Sequence, residues 1–552
     1  MIKFDRITPE GTRDKLFEEC AAEKKITGKL RKIFENRGYK EVKTPGFEFY
    51  DVFASNSNYY PQESMYKLND SRGRLMTVRP DSTIPIARMT ATKLKGYELP
   101  LKVYYAQNVF RQQPEHKGKS SEIMQMGIEF IGDSSFESDL EMLLTAVESM
   151  KKTTTGNFRI EIGHVGIFKV LMDKLKAGQI EKEAIHRYIS SKNYAALNDV
   201  LDRFPQNKTV KILKALPGLF GGKEALKEAS KLINGHDKKL TAMLAHMEKI
   251  IKSLKKEGLE ENVMVDFGLV NQAEYYSSLI FKGYMEGMGE PILSGGRYDK
   301  LFSDFGESYP ATGFAMNVDL LTSALLNSKK KGNKSVPESS GKLRIALTKG
   351  RLEKTFIDLM EKAGYDCTNI REKGRKLLLT IPKTNIEVFL AKAPDVITYV
   401  EHGVCDIGIV GKDTIVEQGG TYYEILDLGI GRCKFALATP KGKDFFSDFG
   451  TKRVATKYPK VAADFFEKKG MDVEIIRIEG SVELAPLLSL AEGIVDIVET
   501  GTTLKENGLE VTEDIKKISA RLIVNITGMK LKKKEIDEIT GKLKKVIHEK
   551  NN

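Results

Sequence analysis

Residues 480–504, GSVELAPLLSLAEGIVDIVETGTTL, decide how this chain is read. The run Gly493-Ile494-Val495-Asp496-Ile497-Val498 has the short, apolar, β-branched character of a buried strand, and Thr500-Gly501-Thr502-Thr503 turns before Leu504-Lys505-Glu506. In such a turn successive backbone N–H groups converge on one point. Glycine lets an anion approach the backbone, while threonine hydroxyls and a following helix N-terminus add donors and positive potential. Asp496 and Glu499 flank the turn, placed to accept hydrogen bonds from ribose hydroxyls or to hold a hydrated Mg²⁺. The plain alternative is an ordinary strand-to-helix turn.

Other blocks lie in order before this one. They are TKGRLEK at 348–354, GRKLLLT at 374–380, PDVITYVEHG at 394–403 and CDIGIVGKD at 405–413, with GSVELAP and DIVETGTTL completing the set. Together they resemble the short form of ATP phosphoribosyltransferase across essentially all of residues 342–552. Thr348 stands where a proline is familiar in that family. The resemblance implies two α/β lobes, approximately 342–430 plus 520–552, and 431–519, joined by crossover strands as in type II periplasmic binding proteins. It also implies a phosphoribosyl pyrophosphate site at Glu483, Asp496, Glu499, Thr500, Gly501, Thr502 and Thr503. ATP would meet Lys349, Arg351, Arg375 and Lys376. Asp406, in CDIGIVG, either caps the next element or lines the adenine pocket. Mg²⁺ would arrive with the substrate, with no protein ligand firmly assigned.

A chain of 552 residues exceeds what one such domain uses. The sharpest compositional break is 328–341, SKKKGNKSVPESSG, polar and without apolar periodicity, which reads as a linker. Hydrophobic residues at 41% and charged residues at 30% describe a globular chain with ample core-forming material. No apolar run approaches the roughly 20 residues of a membrane helix, and MIKFDRITPEG carries no secretory segment, so a cytoplasmic protein without a membrane partner is expected. Cys20, Cys367, Cys405 and Cys433 form no CxxC pair, which argues against structural zinc and a disulfide framework. The net charge of +12 suits nucleic acid or polyphosphate substrates equally, and much of the lysine falls at helical spacing on solvated faces.

Residues 1–327 carry a second message. TPEGTRD at 8–14, TVRPDSTIPIAR at 77–88, YYAQNVFRQQPEHKGKSSEIMQMGIEFIG at 104–132, GGRYDKLFSDFG and TGFAMNVDLL resemble the catalytic core of class II histidyl-tRNA synthetases, an α+β fold on an antiparallel sheet. The departures matter. Asn271 stands where the family's arginine is expected, Val318-Asp319 follows GFAMN where a second is expected, and Ser120-Ser121 occupies a third position. Lost charges of this kind cost orders of magnitude in rate, so activation of histidine by ATP is not expected. Asp81, Thr83, Arg111, Gln125, Glu129, Tyr275 and Tyr276 fall where the family contacts histidine: carboxylates for ammonium and imidazole N–H, Arg111 for the carboxylate, tyrosines as oriented hydroxyls and flat walls. The bland reading is a fossil pocket.

This half therefore resembles the histidyl-tRNA synthetase-like regulatory subunit of ATP phosphoribosyltransferase, normally a separate chain. The expectation is a multidomain α/β and α+β enzyme that joins ATP to phosphoribosyl pyrophosphate under feedback by histidine, without nucleic acid, as a homotetramer or larger. A tRNA-binding protein and a two-lobed sensor without turnover are the alternatives. Residues 150–260 read as helical with a strand near FRIEIG, and no chemistry is assigned to them.

Overall fold

The computed structural model describes residues 6–54, 60–114, 117–269, 275–331, 342–447 and 450–551. The chain divides into two compact units, Met1–Glu338 and Ser339–Asn552.

The first unit is built on a nine-stranded sheet. Its order is Lys40–Glu41, Leu101–Phe110, Glu122–Ile131, Ala311–Asn317, Leu293–Arg297, Leu279–Met285, Phe158–His164, Val263–Asp266 and Phe220–Gly221. Its centre is antiparallel, with parallel joins between the first two strands and between Phe158–His164 and Val263–Asp266. Alternation along Glu122–Ile131 explains its two faces: Met126, Ile128 and Phe130 enter the core with Phe34 and Leu143, while Gln125, Gly127 and Glu129 point the other way. One face makes the core and the other makes a cavity.

Residues 165–256 form mostly helices attached to the far end of this sheet. Lys192, in the left-handed region at φ 50°, sends its ammonium to Asp266 at 2.8 Å, and both are buried. Removing one partner of such a pair strands a charge and costs about 3–5 kcal/mol. Arg297 of GGRYDK is likewise buried and donates to Asp139, Ser138 and the carbonyl of Asp133 at 2.7–3.0 Å.

The expected linker begins too early. The helix Val318–Lys331 carries through Ser328, whose hydroxyl donates to the Leu325 carbonyl at 2.8 Å. Lysine is a good helix former, so a polar run need not end a helix that is already nucleated. Residues 332–341 lie outside the described residues.

The second unit holds two sheets. Six strands run in the order Leu378–Thr380, Ile386–Ala391, Leu343–Thr348, Ile407–Gly411, Ala520–Val524 and Tyr423–Asp427. Five run in the order Val473–Arg477, Lys452–Thr456, Gly493–Val498, Cys433–Pro440 and Leu509–Ile518. The chain passes between the sheets after Asp427 and again at Ser519, so the two lobes share a double connection. Helices cover the sheets, and the central parallel strands are largely buried, while the edge strand Val473–Arg477 is not. Among the described residues no helix is long and apolar enough to cross a membrane.

Candidate functional sites

A cavity of about 630 Å³ opens against the polar face of the first unit's sheet. All seven residues assigned to histidine from the sequence line it: Asp81, Thr83, Arg111, Gln125, Glu129, Tyr275 and Tyr276. Each is fixed by its element. Gln125 and Glu129 lie four residues apart on one strand and so share a face. Glu129 is paired in register with Gly313, where an added Cβ would sit 1.8 Å from the carboxylate; the glycine of TGFAMN is what leaves room for it. Thr83 opens the helix Thr83–Lys93 and donates to Glu129 at 2.6 Å. Asp81 caps that helix by accepting from the Ile84 N–H at 3.1 Å.

The sequence reading missed two tyrosines. Tyr60 donates to Asp81 at 2.9 Å, and Tyr298 donates to Glu129. Tyr298 lay in the quoted GGRYDK block, but only the fold aims its hydroxyl; nothing local singles out Tyr60.

Two carboxylates, Asp81 and Glu129, therefore share the cavity with Arg111, whose guanidinium stands 4.0 Å from Asp81 and lies 5.5 Å from the Tyr60 ring centre. Burial pushes the Glu129 carboxyl up to about 8; the Thr83 and Tyr298 hydrogen bonds oppose this and the Asp81 charge adds to it. The Tyr60 oxygen and Asp81 hold the Arg111 guanidinium in its charged form against desolvation. A cationic group entering the cavity would find two acceptors already aimed.

The positions of the missing synthetase arginines are also informative. Asp319 accepts from the Met124 N–H at 2.8 Å and pairs with Lys15 at 2.5 Å, which makes it a strut. Ser121 is buried and its N–H donates to the Gly11 carbonyl at 2.7 Å. Asn271 lies outside the described residues.

In the second unit the strand Gly493–Val498 ends at Glu499, Gly501 takes φ +75°, and Thr502–Glu506 forms a helix. The left-handed turn requires glycine. The helix is a single turn, so its macrodipole adds little, and the hydroxyls and backbone N–H groups dominate. The Thr500 and Thr502 hydroxyls are 3.0 Å apart and exposed to solvent. Asp496 sits at this strand end; burial and the Glu483 charge raise its carboxyl to about 6, against pulls from the Ile497 N–H and Lys457. Glu483 stands at the N-cap of Leu484–Leu487.

The cations meet at the matching edge of the six-stranded sheet. Thr348, in place of the familiar proline, donates to the Ile409 carbonyl at 2.7 Å and so ties the end of its strand to the next one. Lys349 donates its N–H to the Ala391 carbonyl at 2.9 Å, Gly350 turns at φ +99°, and Arg351 opens a helix. Leu390 donates to Leu377 at 2.9 Å, which brings the neighbouring Arg375 and Lys376 to the same edge, and Lys373 pairs with Glu353 of that helix. Arg351 reaches Glu499 of the other lobe at 2.6 Å. That contact joins the two predicted half-sites.

Asp406 does not belong to this edge. It precedes the strand Ile407–Gly411 and accepts from the Arg344 N–H and from Lys532, both at 2.8 Å. These contacts lie at the N-terminal ends of the parallel strands, opposite Lys349. Of the two readings open for it, the adenine pocket is the one corrected: Asp406 is a packing hub that ties two strands to the helices from Ile526 onward, and the sequence could not say at which end of the strand chemistry would gather. Among the described residues no group of three His, Cys, Asp or Glu could hold a metal ion.

The family profile for histidyl-tRNA synthetase matches residues 11–321, and that for ATP phosphoribosyltransferase matches residues 392–545. Over 335 residues the chain is 42% identical to the ATP phosphoribosyltransferase regulatory subunit of Bacillus cereus (strain AH187), a match covering 60% of this chain and 78% of that protein. The solved ATP phosphoribosyltransferase regulatory subunit/histidyl-tRNA synthetase from Bacillus halodurans C aligns with a TM-score of 0.55 and 29% identity, covering 71% of this chain and 94% of that one. A histidine–tRNA ligase subunit from Alicyclobacillus acidocaldarius shares the fold, with a TM-score of 0.51 at 23% identity over 60% of this chain and 100% of that one. The synthetase-like cavity without its charged clamp, and the hydroxyl-lined turn facing a row of cations, thus come with matching relatives: the chain belongs to the histidyl-tRNA synthetase-like family of ATP phosphoribosyltransferase regulatory subunits, here fused to an ATP phosphoribosyltransferase domain.

Proposed function

We propose that this chain joins ATP to phosphoribosyl pyrophosphate, releasing pyrophosphate and forming 1-(5-phosphoribosyl)-ATP, and that histidine bound in its first unit restrains the reaction. The observation that carries the transferase half is the Arg351–Glu499 contact, which draws the cationic edge of one lobe onto the hydroxyl turn of the other. The 5-phosphate of the donor lies on Thr500–Thr503, with Asp496 and Glu499 toward the ribose and Glu483 beside them. The ATP phosphates meet Lys349, Arg351, Arg375 and Lys376, and adenine N1 faces the anomeric carbon.

Adenine N1 already carries a lone pair, so no strong base is needed. As the C1–O bond breaks, the donor carbon gains positive character, and positioning plus electrostatics carry the rate. A divalent cation, Mg²⁺ in this reading, enters on the substrate phosphates and spreads the charge of the leaving diphosphate.

Histidine as effector is supported by the cavity's donor set. Asp81 and Glu129 suit ammonium and imidazole N–H groups, Arg111 suits the carboxylate, and Tyr275 and Tyr276, with ring centres 4.6 Å apart and planes inclined by 38°, supply aromatic surface to the wall. Asp319, engaged as a strut, supports a binding role without adenylation. We also propose a homo-oligomer, tetrameric or larger. The small sheet of Phe47–Phe49, Lys67–Asn69 and Leu75–Val78 leaves Phe47, Phe49 and Leu75 at 43–56% exposure, an apolar face suited to a second copy.

Mixing purified protein with ATP, phosphoribosyl pyrophosphate and Mg²⁺ and following the adduct's ultraviolet absorbance tests the reading. Adduct formation that falls on adding histidine is the expected result. Absence of adduct removes the transferase, and indifference to histidine removes only the control.

A further inference from the structure

The strand Lys452–Thr456 pairs in parallel with Gly493–Val498, in the register Val454 to Gly493, Ala455 to Ile494 and Thr456 to Val495. Parallel strands deliver their C-terminal ends to one edge, where ligands of open α/β sheets gather. The next residue, Lys457, therefore comes level with Asp496. Its position is fixed from both sides. Thr456 is fully buried and its hydroxyl donates to the Val495 carbonyl at 2.6 Å, while the Tyr458 N–H donates back to that hydroxyl at 2.9 Å. Beyond it, Glu417 of the other lobe accepts from the N–H groups of Lys460 and Val461 at 3.1–3.2 Å at the start of the helix Pro459–Lys468. The Lys457 side chain itself is exposed and forms no ion pair with a described residue.

The charges at this edge are unbalanced for a donor with two phosphate-bearing ends. The turn Thr500–Thr503 supplies hydroxyls and N–H groups enough for a single phosphate; of the acids beside it, Glu499 is paired with Arg351, while Glu483 and Asp496 repel another phosphate. Lys457 acts on the Asp496 carboxyl in the sense of a nearby cation, drawing it down against burial. It is the cation that the parallel register brings to Asp496.

We propose that Lys457 is a substrate-binding residue of the transferase, whose ammonium holds the diphosphate of the sugar donor. The inference rests on the phosphoribosyl pyrophosphate reading above and adds the residue that meets its leaving group. In the step it serves, adenine N1 donates its lone pair to the anomeric carbon, and the C1–O bond breaks with its electron pair going to the departing diphosphate. Lys457 keeps its proton throughout and stabilises that charge as an ion pair. A lysine is suited to the task because its ammonium is a compact point charge on a flexible stem.

The full-length variants Lys457→Met and Lys457→Arg test this. Charge-assisted contacts of this kind predict that Lys457→Met raises the KM for phosphoribosyl pyrophosphate about tenfold or more. The KM for ATP and the calorimetric affinity for histidine stay at wild-type values, and Lys457→Arg recovers most of the loss. Calorimetry with two separate probes locates the contact. Magnesium pyrophosphate binds the Met variant more weakly in proportion to the KM change, whereas ribose 5-phosphate binds as before. Unchanged kinetics in Lys457→Met, or equal weakening of both probes, overturns the assignment. A wild-type chain that makes no adduct overturns the transferase reading itself and this inference with it, an outcome separate from the other two.

Discussion

The two candidate sites differ in how they hold charge. In the first unit Glu129 is 2% exposed and Asp81 6%, each with hydrogen-bond partners already in place around a walled cavity. In the second, the side chains of Arg351 and Glu499 are 69% and 49% exposed and meet each other across two lobes. Buried polar groups are costly unless satisfied, so a buried site rejects ligands that leave one of its acceptors unmet. That suits discrimination of one amino acid. An exposed pair in water is worth about 0–1 kcal/mol, so substrates carrying several phosphates can displace it easily. That suits a cleft that must open and refill at every turnover.

Substitutions at each site separate the two behaviours. The largest effect is expected from Asp496→Asn combined with Thr503→Val, which removes an acid and a hydroxyl from the proposed donor site; by analogy with other lost charge-stabilising groups, turnover falls at least about 10²–10³-fold. Histidine binding by calorimetry is unchanged in the same protein. Loss of both would mean that the units do not divide the work as proposed.

Glu129→Ala is the converse experiment. Removing one buried partner costs about 2–5 kcal/mol, so histidine affinity drops by at least about thirtyfold while adduct formation without histidine continues. Glu129→Gln sharpens the same point through pH. The carboxyl sits at about 8 against an ordinary 4.5, so between those values the folded protein holds a proton that the unfolded chain has released. Stability from this group is thus present in acid and lost as pH rises toward about 8. Glutamine cannot ionise, and the melting temperature of Glu129→Gln relative to wild type is expected to climb between pH 5 and pH 8. A difference that stays flat with pH would show that Glu129 is charged throughout.

Turnover should carry its own pH signature. Asp496, raised to about 6, must be ionised to accept from ribose hydroxyls, so turnover falls on the acid side of about pH 6. An acid limb near 4 would place this carboxylate in water. Tyr275→Phe deletes one hydroxyl from the wall of the cavity and is expected to weaken the histidine response by about 1 kcal/mol, roughly fivefold, with turnover near wild type. Smallest of all is the stability change in Arg351→Ala: with so exposed a pair, thermal unfolding shifts by less than about 1 kcal/mol even though turnover drops.

Legibility in the sequence followed distance along the chain. The strand Gly493–Val498 and the turn after it were readable because a short apolar, β-branched run and a glycine at a left-handed position are local properties. The seven residues of the buried cavity come from four separate segments and were found through resemblance; the structure then brought them together. Tyr60 had no such signal, since its hydroxyl meets Asp81 only after the chain has folded back 21 residues. Asp406 was misplaced for a related reason. A residue beside a strand is visible in sequence, but which end of the sheet faces the ligand is set by strand direction and neighbours.

By itself, then, the amino-acid order determined the local conformations, the polar and apolar faces of each strand, and the chemical types available to each site. These depend on side-chain size, branching and the i, i+2 repeat, all short-range. Only the tertiary structure decided that Glu129 is buried against Gly313, that Arg351 meets Glu499, and that Lys457 stands level with Asp496. Those outcomes rest on register and packing between distant segments, which set the burial and the neighbouring charges that each side chain meets.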